Sequence, residues 1–281
     1  MSIQERQNTA ESISKLASQR FLYSCAKRTR VFEMCLIVLI VFLGLVSSAV
    51  EISDLSQWVP LVVLLAWIVD QFLLKRKENS FKTEAAIVQE DFDCFVLDLV
   101  WPEYKGIERP TPDRLRQLDR LAAKRSVGSA SLLNWYGPSG MPCDPFHAKI
   151  HCQKINCWWD ANLRRRWRNL LYWASGSFVV AAVILCIVNG ITVTKLVALV
   201  ASSIGVLRWG VAEIIDQMEA GQQANKLHKF LTGLSRQEQI SPSEVRSVQD
   251  EIFELRRKGP LVPDWFYNFS RDDQESEATG T

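Results

Sequence analysis

The stretch from Val31 to Leu74 restricts this chain more than any other. It reads VFEMCLIVLIVFLGLVSSAV, then the polar link EISDLSQ, then WVPLVVLLAWIVDQFLL. At a rise of about 1.5 Å per residue, each arm comes close to crossing a hydrocarbon core of roughly 30 Å. A second pair of apolar runs lies between Leu170 and Ile215. Two hairpins of this length predict a membrane protein. The apolar fraction, 48%, is ordinary for a soluble domain, and only its concentration into four runs separates this chain from that class.

The runs predict four membrane helices: Val31 to Val50, Leu55 to Leu74, Leu170 to Val188, and Ile191 to Trp209, the last with a pattern continuing through Ile215. Trp58 anchors the outer end of the second, and Asn189-Gly190 turns between the third and fourth. About thirty polar residues precede the first run, so it is not the core of a cleaved signal peptide. Basic residues set the orientation. Lys27, Arg28 and Arg30 precede helix one, and Lys75, Arg76 and Lys77 follow helix two. Arg164, Arg165, Arg166 and Arg168 precede helix three, and Arg208 closes helix four, whereas the two links offer only Lys195 against Glu51 and Asp54. Both termini and the middle segment are therefore expected in the cytoplasm. The chain divides into an N-terminal helix (1–30), hairpin one (31–75), a cytoplasmic insert acting as sensor and stalk (76–168), hairpin two (169–215), and C-terminal helices with a tail (216–281). None of the seven cysteines falls in an outer link, so reduced thiols are expected.

The polar segments also carry signals. Leu16, Ala17, Arg20, Phe21 and Tyr23 fit either a surface-lying amphipathic helix or a plain flanking helix. Phe81, Ala85, Val88, Phe92, Phe95 and Leu99 recur at four and three spacing, so helix two either continues inward as a stalk or breaks near Glu78-Asn79-Ser80. Trp101-Pro102 ends that pattern. Thr111-Pro112 opens a basic helix with Arg114, Arg116, Arg120, Lys124 and Arg125. Ser126 to Ser131 reads as a loop, and Asn134 to Pro138 as a turn bearing Trp135 and Tyr136. Pro145 to Arg168 reads as helix running straight into the third apolar run. Ala198, Ala201, Ser202 and Gly205 form a small-residue face on the fourth, suited to close helix packing or to lining a pore. In the tail, Ser241-Pro242-Ser243-Glu244 is a capping box, Gly259-Pro260 ends its helix, and the aromatics of Pro263 to Tyr267 should dock on something. Arg271 to Thr281 reads as disordered.

Chemistry is sparse. Cys143, His147, His151, Cys152 and Cys157 are crowded but lack the paired spacing of zinc sites, and packing of a short helix accounts for them, so no metal is expected. The Arg164-Arg165-Arg166 run suits phosphate, but its place beside a membrane helix is accounted for by topology and lipid headgroups. Arg116, Arg120 and Arg125, with Trp135 and Tyr136 near in sequence, could supply charge and stacking faces for a nucleotide; a solvated helix face is the alternative. Ser12-Ile13-Ser14-Lys15 matches a nucleophile motif only at chance level. There is no phosphate-binding glycine loop, HExxH or GxSxG, so no enzyme is expected. The sequon Asn268-Phe269-Ser270 falls on the cytoplasmic side.

Arg6-Gln7-Asn8 followed by LASQRFLYSCAK, Leu16 to Lys27, resembles the opening of the SMODS-associated four-transmembrane effector family. IHCQKINCWWDANLRRR, Ile150 to Arg166, is similar to that family's segment before its third membrane helix. Met141 to Lys149 matches the family pattern least. The resemblance implies a pore-forming effector of bacterial cyclic-oligonucleotide anti-phage signalling (CBASS), multi-pass in the inner membrane. Its ligand would be a cyclic oligonucleotide made by a cognate nucleotidyltransferase, and no cofactor and no DNA or RNA polymer is involved. No ligand residues are carried over from the family. The expectation is thus an all-α, four-transmembrane-helix protein of two hairpins, with a mainly helical cytoplasmic part. A four-helix protomer has little room for its own pore, so a homo-oligomer in the lipid bilayer is implied. The alternative is a non-conducting membrane anchor or adaptor for a soluble partner.

Overall fold

The computed structural model describes residues 1–49, 61–62, 64–65, 68–103, 106–125, 132–137, 141–188 and 193–270. Its described residues are all helix, turn and coil: α1 (Ile3–Gln7), α2 (Ala10–Ala49), a π-helical turn (Asp70–Leu74), α3 (Lys75–Leu97), α4 (Pro112–Lys124), α5 (Pro145–Val188), α6 (Val193–Leu234), α7 (Pro242–Lys258), and a short α8 at 264–270. The all-α expectation is met. The link at 51–57 with Trp58, the Ser126 to Ser131 loop, the Asn189-Gly190 turn and the tail from Arg271 lie outside the described residues.

Local signals act where the sequence places them. Thr111 caps α4, its hydroxyl accepting from the Arg114 amide at 3.3 Å, with Pro112 at the first helical position. Ser241 and Glu244 form the reciprocal box that starts α7. Asp98, in the left-handed region at φ 52°, stops α3 before Trp101-Pro102. Helix α3 does not break at Glu78-Asn79-Ser80; instead the π turn at Asp70–Leu74 joins it to the second apolar arm. Helices α2, α5 and α6 run unbroken from the polar bundle into the apolar runs, so element boundaries do not follow the change in composition.

The bundle is built around α3. Its four-and-three stripe supplies Ala85 and Val88 to a cluster with Phe21 and Leu22 of α2 and Leu118 and Ala122 of α4. One turn on, Phe92, Val96 and Leu97 pack with Leu16, Leu132, Tyr136 and Cys152. A third cluster joins Ile150 and Cys157 of α5, Leu231 and Leu234 of α6, and Val245, Val248 and Ile252 of α7. The apolar face of residues 10–30 therefore packs into the core, and the segment is not a surface-lying amphipathic helix: Leu16, Leu22 and Ala26 are fully buried.

Among the described residues, no helix is long and apolar enough to cross a membrane. Positions 50–60, 63, 66, 67 and 189–192 of the predicted spans lie outside those residues. The described parts of the apolar runs carry large side chains in the open, including Phe32, Val38, Phe42, Leu65, Phe72, Val183 and Ile187. They extend from a bundle whose own large apolar side chains are mostly buried.

Candidate functional site

Two polar systems tie the bundle together, and the first lies inside it. Four of the five acidic residues of α3 are buried and the fifth, Glu84, is half-buried, each facing a cation from another element. Asp93 accepts from Arg256 of α7 (Nη1, 2.5 Å), from Gln249 (Nε2, 2.8 Å) and from the Tyr136 hydroxyl (2.5 Å). Glu90 accepts from Arg246 at 2.5 Å and Gln249 at 2.8 Å. Asp91 meets Lys15 of α2 at 2.7 Å and Arg109 at 2.5 Å, and Glu84 meets Arg114 of α4 at 2.5 Å. Burial, then the Asp93 charge, raises the Glu90 pKa. Burial likewise raises that of Tyr136, keeping it a neutral donor to Asp93. Burial opposes the charge on Arg256, but the Asp93 carboxylate favours it, and the net effect is a raised pKa. Such a set is stable only when every member is partnered.

The second system sits where the bundle meets the apolar arms. Arg30, the last residue before the first arm, donates to Glu78 of α3 at 3.1 Å and to Glu213 of α6. Gln217, one turn along α6, donates to Glu213 at 2.8 Å and accepts from Arg164 of α5 at 3.0 Å. Arg164 is 7% exposed and also donates to Asp160 and to the carbonyl of Pro260, both at 2.8 Å. One polar chain thus links the bases of all four arms. This corrects the lipid-headgroup reading of Arg164, which is a buried brace; of that run Arg165 is exposed. Beside the chain opens a cavity of about 710 Å³ bounded by α2, α3, α6 and α7. Among its described lining residues carboxylates outnumber cations seven to four, so it does not favour a phosphate ligand.

Gly259 shows how tightly this collar is built. A Cβ there would meet the Leu255 carbonyl oxygen at 2.5 Å and Arg164 Nη2 at 2.8 Å. Gly259→Ala should displace the end of α7 or the Arg164 guanidinium and cost about 1–3 kcal/mol. A thermal melt in detergent unchanged from wild type would show that the collar yields freely.

The sequence-predicted ligand residues are not gathered in one place. Arg116 and Arg120 are exposed on α4, Arg116 pairing with Asp113 of its own helix at 3.0 Å. Arg125 lies over the Phe21 ring, 5.1 Å from its centroid, with Nη1 3.8 Å from Cys25 Sγ. Trp135 and Tyr136 belong to a different apolar cluster from α4. Tyr136 is 1% exposed and stacks on Phe92 at 6.1 Å, so its ring is committed to the core. On α6, Gly205 is exposed, while the side chains of Ala198, Ala201 and Ser202 lie outside the description.

Among the described residues no three His, Cys, Asp or Glu groups gather as a metal site. Asp144 caps the start of α5, its carboxylate accepting from the His147 amide at 2.9 Å; His147 Nδ1 lies 2.7 Å from the same carboxylate and Nε2 2.9 Å from the Gln237 carbonyl, and the Asp144 bond raises the His147 pKa. Cys152 and Cys157 are core residues whose thiols burial pushes up, while Cys143 is exposed. Six described cysteines, Cys25, Cys35, Cys94, Cys143, Cys152 and Cys157, are free.

Comparison with known proteins adds what geometry does not. A curated relative, a probable CBASS effector molecule from Bacillus cereus (strain VD146), is 23% identical over 292 residues, covering 96% of this chain and 94% of that protein. No solved structure matches. The SMODS-associating 4TM effector domain matches residues 1–281, as the openings at Leu16 and Ile150 suggested, and the chain belongs to that family.

Proposed function

We propose that this protein is a membrane effector of CBASS-type anti-phage signalling. A cyclic oligonucleotide from a cognate synthase activates it, and the oligomer then opens a pore or breaches the inner membrane. The observation that carries this is the junction. Apolar runs rise from a polar bundle, the described side chains of the first three standing open, and one polar chain joins the bases of all four. A bundle that changes shape on binding would move all four arms together. The ligand need only prefer the moved state. Membership in a family described as 4TM effectors, and likeness to a probable CBASS effector, favour the same function. The basic approaches to the arms support cytoplasmic termini.

For the ligand, the exposed arginines of α4 are the best first contacts. Arg116 and Arg120 face solvent, and Arg125 sits at the end of the same helix. Purified protein in liposomes should release dye only when a matching cyclic di- or trinucleotide is added, and Arg120→Glu should lower that response at least tenfold while leaving insertion intact. Binding without leakage would favour the anchor or adaptor. No binding across the panel would sink direct ligand activation.

A further inference from the structure

Helix α8 is pinned at two points that share a level. Its first residue, Asp264, accepts from Lys27 Nζ at 2.5 Å and Ser24 Oγ at 2.9 Å, both on α2. Phe266, 6% exposed, rests against Trp167 of α5, with ring centroids 5.0 Å apart, and Val262 joins the same small cluster. Lys27 lies one turn before the apolar run that begins at Val31, and Trp167 lies one turn before the run that begins at Leu170. Helix α8 therefore lies across the bases of two arms. Phe266 and Ser270, four apart, face inward. On the adjoining flank Trp265 and Phe269, also four apart and so neighbours on the helix surface, are 61% and 75% exposed. Trp265 also meets Trp167 edge-on, ring centroids 5.7 Å apart, one turn before the open side chains of Leu170, Tyr172 and Trp173.

We infer that α8 is an interfacial helix whose Trp265 and Phe269 enter the headgroup–acyl boundary of an anionic bilayer. Tryptophan and phenylalanine are suited to that depth, and Asp264, the sole carboxylate of α8, is already neutralised by Lys27. Exposed Arg28 and Arg165 stand within a turn of the two pinning points and supply the complementary charge. A second copy of the chain or a soluble partner would not require the face to sit at the arm bases. The inference rests on the membrane reading above.

The test places the photo-reactive p-benzoylphenylalanine in turn at Phe269, Trp265, Phe42 and Val100. The full-length protein is reconstituted in vesicles of phosphatidylethanolamine and phosphatidylglycerol. Phe42 reports on an arm, and Val100, exposed beyond the far end of α3, on the distant bundle. Irradiation should give lipid adducts at Phe269, Trp265 and Phe42, several-fold above those at Val100. Adducts at Phe42 but not at Phe269 or Trp265 would overturn the inference and leave the membrane reading standing. Adducts at none of the four would overturn both. Crosslinked dimers through Phe269 would show that the face meets another copy and overturn the lipid assignment.

Discussion

Arg256→Leu should destabilise the protein by about 3–5 kcal/mol, the usual cost of stripping one partner from a buried ion pair. Asp93 is fully buried, and its charge lies near enough to Glu90 to raise the Glu90 pKa, so loss of the guanidinium leaves the Asp93 carboxylate in the core without its cation and beside a second acid. Gln249 and the Tyr136 hydroxyl still donate to Asp93 but bring no charge. For a chain of this size the apparent melting temperature in detergent should fall by roughly 10 °C. Arg257→Leu is the control: its partner Glu254 is partly open to solvent, and the loss should stay below about 1 kcal/mol. Equal melting shifts for the two variants would show that the interior network contributes no more than a surface pair.

Arg30→Met should make the protein toxic without any activating signal. The side chain spans from the base of the first arm to Glu78, which follows the second, and to Glu213, which follows the fourth. Burial disfavours the Arg30 charge, and Glu213 and Glu78 restore and raise its pKa. Methionine keeps the apolar length and removes the tie, leaving two buried carboxylates in mutual repulsion. If the latched arrangement loses about 3 kcal/mol relative to an open one, the balance between them moves by about two orders of magnitude. Cells expressing Arg30→Met without a synthase should then plate at least tenfold less efficiently than wild type, and reconstituted protein should leak without ligand. A quiet variant that still responds to ligand would mean that the tie holds equally in both states.

The sequence made the helices legible because their signals are local. Thr111-Pro112, Ser241 with Glu244, and Gly259-Pro260 act through neighbours in the chain, and the Phe81 to Leu99 stripe needs only a helical period. The polar core was hidden for the opposite reason. Glu90 and Asp93 look like solvated acids until Arg246, Gln249 and Arg256, more than 150 positions away, are laid against them. A faint sign was present. Arg246, Gln249, Phe253 and Arg256 fall on one face of α7, and an acidic pair three apart on α3 offers the opposite charge. Arg164 misled because it stands in a run of arginines beside an apolar stretch, the pattern of a topology signal; only the packing of α5 against α6 and α7 turns it inward. The α4 arginines and the Trp135-Tyr136 turn are close in the chain but enter different clusters, so sequence proximity overstated their association.

The continuity of the long helices has a mechanical consequence. Helix α5 has 44 residues and α6 has 42, so each is a rod of roughly 65 Å with its fulcrum near the collar. A tilt of about 5° at the fulcrum carries a tip some 35 Å away through about 3 Å, comparable with the movements that separate shut from open helix packings. Rods also transmit phase. One residue added between Arg168 and Leu170 would turn everything beyond it by about 100°, whereas four would nearly restore the facing. The second arm is joined differently, through the wider winding of Asp70–Leu74. A π turn is a common place for a helix to yield. Three stiff levers and one compliant coupling let the assembly twist as a unit while a single strut takes up the mismatch.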